Sequence, residues 1–505
     1  MSASGSSGPW SAAIYGNAIR SDGYRVNNEL RQYNGVADFR YTTDQGSAYL
    51  SVSADDQHLG LPGARRVDAV TGMNQLVTDR RGATTPLDYA DKQGLSATLG
   101  FTRLLGNDTE VIVDGGVRRK DQQAAAMLTG VENYVDTILT TFSFTPRVTN
   151  RHNLFGMRSK IVVGVDFYDA SYDSDRSRRI SEPAIHRYGL RQCTLAGYAQ
   201  ETIALRPDTD LSLGARLERT TIAARDTFNP IAPGAFPPFD LEGLPLDKSE
   251  SHHALHAGFE HRFNDAFAVF GRAARSFRTP NVDERVGMAP SFSGIPTTFD
   301  LRTQISRDIE GGLRMRAGKL ETQWSIYDMR LENEIHFSPA TFINTNLDPT
   351  RRYGHETSAS YQLAENVRVK GGLAYTRAVF REGIFAGNDV PLVSRWTGSA
   401  GISWDIWQKN LVFDGIVRYV GKRRMDNDQI NLQPLIPAHT IVDVRLGGQI
   451  EKFFWSASIL NLFNVDYFDY AIASPFPFGF ASAIGTYNAY PQPGRTYMLR
   501  AGMTW

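Results

Sequence analysis

Long runs in which apolar and polar residues alternate recur along most of the chain. In residues 209–218, Leu211, Leu213 and Leu217 share one face, while Arg216 and Glu218 share the other. A side-chain period of two is the signature of β-strands. The same pattern recurs in residues 109–118, 366–376, 410–420 and 439–448. The sequence therefore predicts an all-β chain.

The length of these runs and the connections between them favour a membrane barrel. Many runs exceed about ten residues, whereas strands of soluble proteins usually have about five or six. Short turns that alternate with long loops are typical of outer-membrane β-barrels. Tight connections at 44–46, 106–108, 206–210, 263–265 and 408–410 alternate with long ones at 58–90, 222–250, 279–299 and 466–489. We predict a transmembrane antiparallel barrel; a soluble β-sandwich is the alternative.

Composition excludes several other classes of protein. The 505 residues carry a formal net charge of +0, which argues against a nucleic-acid partner. Cys193 is the single cysteine, so no intrachain disulfide can form. No run of about 18 apolar residues predicts a membrane helix, and the first residues lack the pattern of a signal peptide.

About twenty strands are expected, with 133–146 and 154–173 among them. A short further strand at 2–6 would precede a turn and the strand at 10–21.

Three motifs occur in a fixed order along the chain. Residues 268–284 read AVFGRAARSFRTPNVDE, residues 461–470 read NLFNVDYFDY, and residues 490–505 read YPQPGRTYMLRAGMTW. The positions that carry the pattern are Phe277, Arg278, Pro280, Asn281, Asn461, Leu462, Phe463, Pro493, Gly494 and Arg495. With residues 344–356, they resemble the TonB-dependent outer-membrane receptors of the siderophore-receptor type.

The resemblance implies a fold and a function. The fold would be the 22-strand receptor barrel, with about 20–21 strands present and one barrel domain over residues 1–505. The N-terminal plug and its coupling segment are expected to be absent. The implied function is uptake of a metal chelate, most commonly a ferric siderophore, across the Gram-negative outer membrane, energised by the TonB complex. Haem or cobalamin is an alternative ligand, and an open passive pore an alternative function.

The last strand carries an expected assembly signal. Four of its residues fall on one side: Tyr497, Leu499, Met503 and Trp505. As the resemblance implies, such a strand with an aromatic last residue is recognised by the barrel-assembly machinery. The other expected partner is outer-membrane lipid, and the barrel is expected to be a monomer.

Two groups of loop residues are candidates for ligand contact. A charged group at a strand end and loop suits an anionic ligand, with a solvated loop as the alternative: Asp55, Asp56, His58, Arg65 and Arg66. An aromatic group suits an aryl-bearing ligand, with mutual packing as the alternative: Phe236, Phe239, Phe476, Phe478, Phe480 and Tyr487. Arginines on the polar faces are expected to line the lumen: Arg118, Arg216, Arg368 and Arg418. No catalytic set, metal site or cofactor is expected, so the chain is not expected to be an enzyme.

Overall fold

A computed structural model describes residues 1–128, 131–237, 239–287, 291–292, 295–296, 298–339, 342–473 and 483–503. These residues form strands almost throughout, with the helix α1 (Gln75–Thr78) and a single 3-10 turn at Asp283–Arg285. The strands are β1 (Ser2–Ser7), β2 (Trp10–Ser21), β3 (Leu30–Thr43), β4 (Gly46–Gly60), β5 (Arg65–Asp68), β6 (Met73–Asn74), β7 (Tyr89–Leu105), β8 (Thr109–Leu128), β9 (Val131–Phe144), β10 (Arg147–Leu154), β11 (Met157–Ser177), β12 (His186–Arg206), β13 (Thr209–Phe228), β14 (Leu246–Asn264), β15 (Phe267–Arg278), β16 (Ser291–Phe292), β17 (Ile295–Pro296), β18 (Gln304–Ala317), β19 (Leu320–Glu332), β20 (Ile335–Ser338), β21 (Ile343–Asn346), β22 (Thr350–Ala364), β23 (Val367–Phe380), β24 (Trp396–Lys409), β25 (Leu411–Val420), β26 (His439–Ile450), β27 (Phe453–Leu460), β28 (Phe468–Ile472), β29 (Tyr487–Pro491) and β30 (Thr496–Met503).

One antiparallel sheet of 22 segments contains nearly all of the long strands. Within it, β9 and β10 both lie between β8 and β11, so they are two parts of one strand interrupted at Pro146. Proline has no N–H to donate to a ladder, which accounts for the break. The sheet thus has 21 strand positions, one fewer than its 22 segments. The prediction of an all-β barrel with 20–21 strands is confirmed.

The region before β11 differs from the sequence prediction. The strand predicted over 154–173 corresponds to β11, which begins three residues later, whereas β10 was not predicted: it ends at Leu154 and a tight turn separates it from β11. Phe155 and Gly156 form this turn with φ angles of 52° and 82°. Positive φ is uncommon for a residue other than glycine, which explains why Phe155 carries no clear turn signal. The predicted short first strand is confirmed as β1, which pairs with β2.

The two faces of each long strand differ as the alternation predicted. On β13, Leu213 and Leu217 are exposed on the outer face. Their neighbours Arg216 and Glu218 point into the lumen, and further along the same inner face Ile222 is buried. Tight turns join the strands at one end of the barrel, and all the long connections lie at the other end. No helix in the described part of the chain is long and apolar enough to cross a bilayer.

A second, smaller sheet at the long-loop end joins distant parts of the chain. The connection between β4 and β7 contributes β5 and β6, and the connection between β27 and β30 contributes β28 and β29. Tyr487 pairs with Val67 across this loop sheet, and the Thr486 hydroxyl lies 3.4 Å from an Asp68 carboxylate oxygen. In the main sheet, the described residues pair β1 only with β2 and β30 only with β27. The loop sheet therefore links the two ends of the main sheet.

A buried histidine–aspartate pair fastens the connection between β13 and β14. His186 Nδ1 lies 2.9 Å from Asp226 Oδ2, and both side chains are fully buried. Asp226 also accepts the backbone N–H of Gly243 at 2.7 Å, and His186 Nε2 lies 3.3 Å from the carbonyl oxygen of Phe239. One carboxylate and one imidazole thus hold two points of the same loop.

We predict that Asp226→Ala loosens this loop. The substitution leaves His186 and the Gly243 N–H buried without their acceptor, which costs about 3–5 kcal/mol for a broken buried pair. Limited proteolysis in detergent should cut within residues 229–245 faster than in the parent protein. The exposed pair Arg225–Asp247 supplies a control, since Arg225→Gln should leave the cleavage rate unchanged. Equal resistance of Asp226→Ala and the parent would contradict the anchoring role.

Candidate ligand-binding site in the lumen

A cavity of about 610 Å³ opens on the inner face of the barrel in the half nearer the long loops. Its wall comes from β8, β9, β11, β12, β13, β14 and β15 and from the segment that follows β15. The charged residues in that wall are Arg118, Lys120, Arg216, Glu218 and Asp283. Tyr168 and Phe277 add aromatic surface. The cavity thus presents positive charge beside aromatic rings.

The three cations of this cavity differ in their partners. Arg216 forms ion pairs with Asp166 at 2.5 Å and Glu218 at 2.9 Å, so its charge is matched within the protein. Arg118 and Lys120 have no hydrogen-bond or ion-pair partner among the described residues. They stand two positions apart on β8 and therefore project from the same face. The lumenal position predicted for Arg118 and Arg216 is borne out; Lys120 was missed, although the same alternation places it beside Arg118.

The first motif forms one wall of the cavity. Phe277, Thr279 and Asn281 line it, and the Thr279 hydroxyl donates to Glu218 at 3.1 Å. Arg278 forms an ion pair with Glu284, which also accepts the backbone N–H of Asn281 at 2.8 Å. Pro280 is fully buried at the point where the chain leaves β15. The motif therefore ends the strand and directs the next loop into the lumen.

That inward loop has its own small core. Val282 and Phe299 pack against Tyr188, Leu190 and Ile222 from the inner faces of β12 and β13. The alternation of residues within a single strand could not predict this contact, because the residues that meet here are about 60–110 positions apart in sequence. The loop narrows the lumen beside the cavity.

Arg285 holds the inward loop closed on itself. Its guanidinium donates to the carbonyl oxygens of Phe299 at 3.0 Å and Leu301 at 3.1 Å. Burial lowers the pKa of Arg285 from its usual range, because the charged form loses hydration. The two carbonyl groups would have no replacement donor if this side chain were removed.

The predicted charged group is divided by the structure. Asp55 faces the lumen and pairs with Lys92 at 2.9 Å. Asp56 and His58 lie opposite Tyr33 and Arg31 on the outer face of the barrel, and His58 contacts Asp91 at 2.6 Å. The expectation that Asp56 and His58 contact a ligand beside Asp55 does not fit this placement. Neighbouring strand residues point to opposite faces, so Asp55 and Asp56 cannot share a site.

The two arginines of that group lie in the loop sheet, on β5. Arg65 is 1% exposed and pairs with Asp79 at 2.7 Å, which removes it from ligand contact. Arg66 pairs with Asp68 at 2.5 Å. Desolvation opposes ionisation of Asp68, but the Thr71 N–H and Arg66 outweigh it and lower the pKa of this carboxyl. Both arginines therefore stabilise the loop.

Arg25 supports the same loop and was not among the predicted site residues. Its guanidinium donates to the carbonyl oxygens of Gly63 at 2.5 Å and Gly82 at 2.9 Å. Burial, reinforced by the charge of Arg65, lowers the pKa of Arg25 to about 10.

The predicted aromatic group is divided as well. Phe236 is 45% exposed with the Arg178 guanidinium 5.4 Å from its ring centre, whereas Phe239 is 2% exposed in a core with Ile185. The expectation of ligand contact for Phe239 is therefore corrected: it anchors the loop. Tyr487 packs against Phe468 with ring centres 6.2 Å apart, and burial raises its pKa. Three further candidates lie outside the described residues: Phe476, Phe478 and Phe480.

Comparison with known proteins decides the family. The family described as TonB dependent receptor-like, beta-barrel matches residues 10–466. This chain belongs to the TonB-dependent receptor β-barrels. A search of curated proteins found no match. Members of this family are receptors and transporters of the Gram-negative outer membrane, not enzymes.

Solved receptors share the fold of this TonB-dependent receptor barrel. The ferric-catecholate import receptor Fiu from K12 E. coli is 17% identical, with a TM-score of 0.78 over 99% of this chain and 79% of that one. The ferric citrate transporter FecA is 16% identical, with a TM-score of 0.81 over 99% and 74%. The ferric yersiniabactin uptake receptor FyuA from Yersinia pestis is 15% identical, with a TM-score of 0.80 over 99% and 76%. At these identities the likeness concerns the fold.

The second motif of the receptor barrel is a turn after β27. Asn461 has a φ of 50°, which asparagine tolerates better than most residues. Its side chain bonds both the N–H and the carbonyl of Val465 at 2.9 Å. Asn464 then accepts the N–H of Arg495 at 2.8 Å, beside Gly494. The second and third motifs are therefore parts of one folded unit, in which Phe463 is exposed.

The last strand of the receptor barrel presents one apolar face. Tyr497, Leu499 and Met503 alternate along β30 and are all exposed. Trp505 lies outside the described residues.

We predict that Arg285→Met releases the inward loop. Methionine keeps an apolar stem but leaves two carbonyl groups without their donor, at a cost of about 1–3 kcal/mol for each such group. Hydrogen exchange of residues 279–287 and 298–303 should accelerate at least tenfold. Arg302 is an exposed arginine of the same loop, so Arg302→Met is the matched control and should exchange at the parent rate. Unchanged hydrogen exchange in Arg285→Met would show that Arg285 does not hold the inward loop closed.

Proposed function

We propose that this barrel binds an anionic metal chelate, in the first place a ferric siderophore, in the lumenal cavity. The main support for this proposal is the pair Arg118 and Lys120. Both side chains face the cavity beside Phe277, and neither has a hydrogen-bond or ion-pair partner among the described residues. Ferric ion is a hard cation that is chelated through oxygen groups, and such chelates commonly carry negative charge and aryl surface. Charge-assisted hydrogen bonds from Arg and Lys suit the first feature, and aromatic side chains suit the second.

The shape of the barrel supports the same proposal. A lumen lined by one sign of charge within low-dielectric walls concentrates ions of the opposite sign. The exposed ring of Phe236 at the mouth would meet the ligand first, and the aromatic candidates Phe476, Phe478 and Phe480 remain proposals for the same step. The receptors FecA and FyuA carry ferric citrate and ferric yersiniabactin by name, which is consistent with a ferric chelate here.

The other partners are proposed from the family. Transport would be energised by the TonB complex acting through a plug domain, as the resemblance implies. The barrel-assembly machinery would recognise the exposed face of the last strand, which carries Tyr497, Leu499 and Met503, together with Trp505. The barrel would work as a monomer.

We predict that Arg118→Gln with Lys120→Gln weakens the binding of anionic ferric chelates. Loss of two charge-assisted contacts, at about 1.5 kcal/mol each, corresponds to roughly a 100-fold rise in Kd. Fluorescence quenching with ferric citrate and ferric catecholates would measure it, and a neutral ferric hydroxamate should be affected far less.

The chain offers a matched control. Arg368 and Lys370 also stand two positions apart on a lumenal face, but on β23 and outside this cavity. Arg368→Gln with Lys370→Gln removes the same charge and should change Kd less than threefold. An equal loss in both double variants would show that only the overall charge of the lumen matters, and binding by neither the parent nor the variants would refute the site.

A further inference from the structure

Four arginines stand directly opposite one another on four neighbouring strands. The register pairs Arg275 of β15 with Arg307 of β18, Arg307 with Arg330 of β19, and Arg330 with Arg351 of β22. Residues directly opposite in antiparallel strands project from the same face. We call these four residues the arginine ladder.

The arginine ladder lies on the outside of the barrel. Two apolar residues on the same face point to lipid: Leu255, directly opposite Arg275, is 51% exposed, and Ile309, two positions from Arg307, is 62% exposed. Inward residues of the same strands instead bond one another across the lumenal face, as Arg272 does with Asp308 at 2.9 Å. The ladder therefore does not belong to the lumenal cavity.

Like charges directly opposite destabilise a sheet, and the ladder is only partly neutralised. Arg351 pairs with Asp328, and Arg307 lies 3.2 Å from Glu332. Arg275 donates to the carbonyl oxygen of His253, which carries no charge. Arg330 has no partner within the described residues.

A fifth outward arginine adds to the positive charge of the ladder. Arg377 of β23 lies opposite Tyr353, which the register places on the outer face, and its Nε is buried without a hydrogen-bond partner in the described part of the chain. This patch of five arginines thus has two carboxylates against it. The unpaired, buried Nε is the kind of donor that an added acceptor would satisfy.

Outward arginines elsewhere in the barrel are of two kinds, since Arg20, Arg31 and Arg219 have no carboxylate partner among the described residues. Three others have a carboxylate partner within 3 Å: Arg119 with Asp121 at 2.9 Å, Arg191 with Asp169 at 2.7 Å, and Arg225 with Asp247 at 2.6 Å. What distinguishes the arginine ladder is that four arginines of neighbouring strands stand opposite one another in one row.

An apolar groove lies directly below the ladder, toward the tight-turn end. It measures about 910 Å³. Small side chains form its floor and larger ones its sides: Ala215, Ala257, Ala273, Leu213, Leu255 and Ile309. Arg275, Arg307 and Arg330 border it. Three acidic residues also line the groove, and each has a partner: Asp308 pairs with Arg272, Asp328 pairs with Arg351, and Glu201 lies 3.7 Å from His152. A basic rim above an apolar groove matches a ligand with a charged head and a hydrocarbon tail.

The height of the ladder fits the headgroup region of the membrane. His355, Tyr375 and Trp396 form an outward aromatic cluster on β22, β23 and β24, with ring centres 4.8–5.9 Å apart. Such clusters mark the membrane interface of barrels. Arg351 is four residues from His355 toward the long loops, or about 13 Å along the strand. For strands tilted by about 35–45°, this is about 10 Å above the aromatic cluster.

We propose that the arginine ladder and the groove below it bind a phosphate-bearing lipid of the outer leaflet. The guanidinium groups of Arg275, Arg307 and Arg330 hold the phosphate, and an acyl chain fills the groove. Guanidinium is planar and meets phosphate through paired hydrogen bonds, which makes Arg well suited to this role. The bound phosphate also relieves repulsion between the opposed arginines. This site is independent of the lumenal one.

The test compares lipid binding by the full chain in detergent. Phosphatidic acid is the probe, and native mass spectrometry or a fluorescence titration gives its Kd. The ladder variant Arg275→Gln, Arg307→Gln, Arg330→Gln should bind roughly 100-fold more weakly. The control variant Arg119→Gln, Arg191→Gln, Arg225→Gln removes the same charge from matched positions and should bind within threefold of the parent. Heat-dependent gel mobility checks that each variant is folded.

Two further arms separate a lipid from free phosphate. Ala257→Phe with Ala273→Phe fills the groove, so it should weaken phosphatidic acid at least tenfold while leaving competition by inorganic phosphate unchanged. An equal loss of affinity for phosphatidic acid in the ladder and control variants would show that only the total charge matters, and it would overturn the proposal. Inorganic phosphate that displaces the lipid at equal concentration, or a groove variant that binds normally, would also overturn the lipid assignment.

Discussion

Backbone hydrogen bonding in hydrocarbon is the constraint on which the rest of this structure depends. An unsatisfied N–H or C=O costs several kcal/mol where no water can reach it, so a β chain must pair every strand within the membrane. Irregular backbone is then restricted to the two ends of the sheet. Among the described residues, the interruption of a long strand at Pro146 has β8 on one side and β11 on the other. All of the extended loop structure lies at one end.

Backbone pairing leaves the side chains free to face two environments, the lipid outside the barrel and the water of the lumen. Because successive residues of a strand face opposite sides, one strand can contribute to two unrelated surfaces. On β15, Arg272 pairs with Asp308 inside the lumen, whereas Arg275 joins the outward ladder three positions later. The lumenal cavity and the outer groove are therefore separated by one layer of backbone. A change on one face need not disturb the other.

The sequence predicted what is local and missed what depends on distant partners. Strands and tight turns followed from the period of two, and the opposite facing of Asp55 and Asp56 was available from the same period but was not used. The loop sheet was not predictable, since Asp68 meets Thr486 across 418 positions. Phe236 and Phe239 look alike in sequence, yet only the fold of their loop buries Phe239 and leaves Phe236 exposed. The motif at Phe277–Asn281 identified the family, but not the inward loop that it starts.

Unmatched charge has a different meaning on the two faces. Inside the lumen, Arg118 and Lys120 can be hydrated, so their lack of a partner costs little and favours a ligand only together with the aromatic wall of the cavity. Near lipid, hydration is poorer and opposed arginines repel one another, so the same lack of partners implies an anion more strongly. No single strand shows this, because each contributes one arginine. The ladder exists only in the register of Arg275, Arg307, Arg330 and Arg351, which strand pairing alone sets.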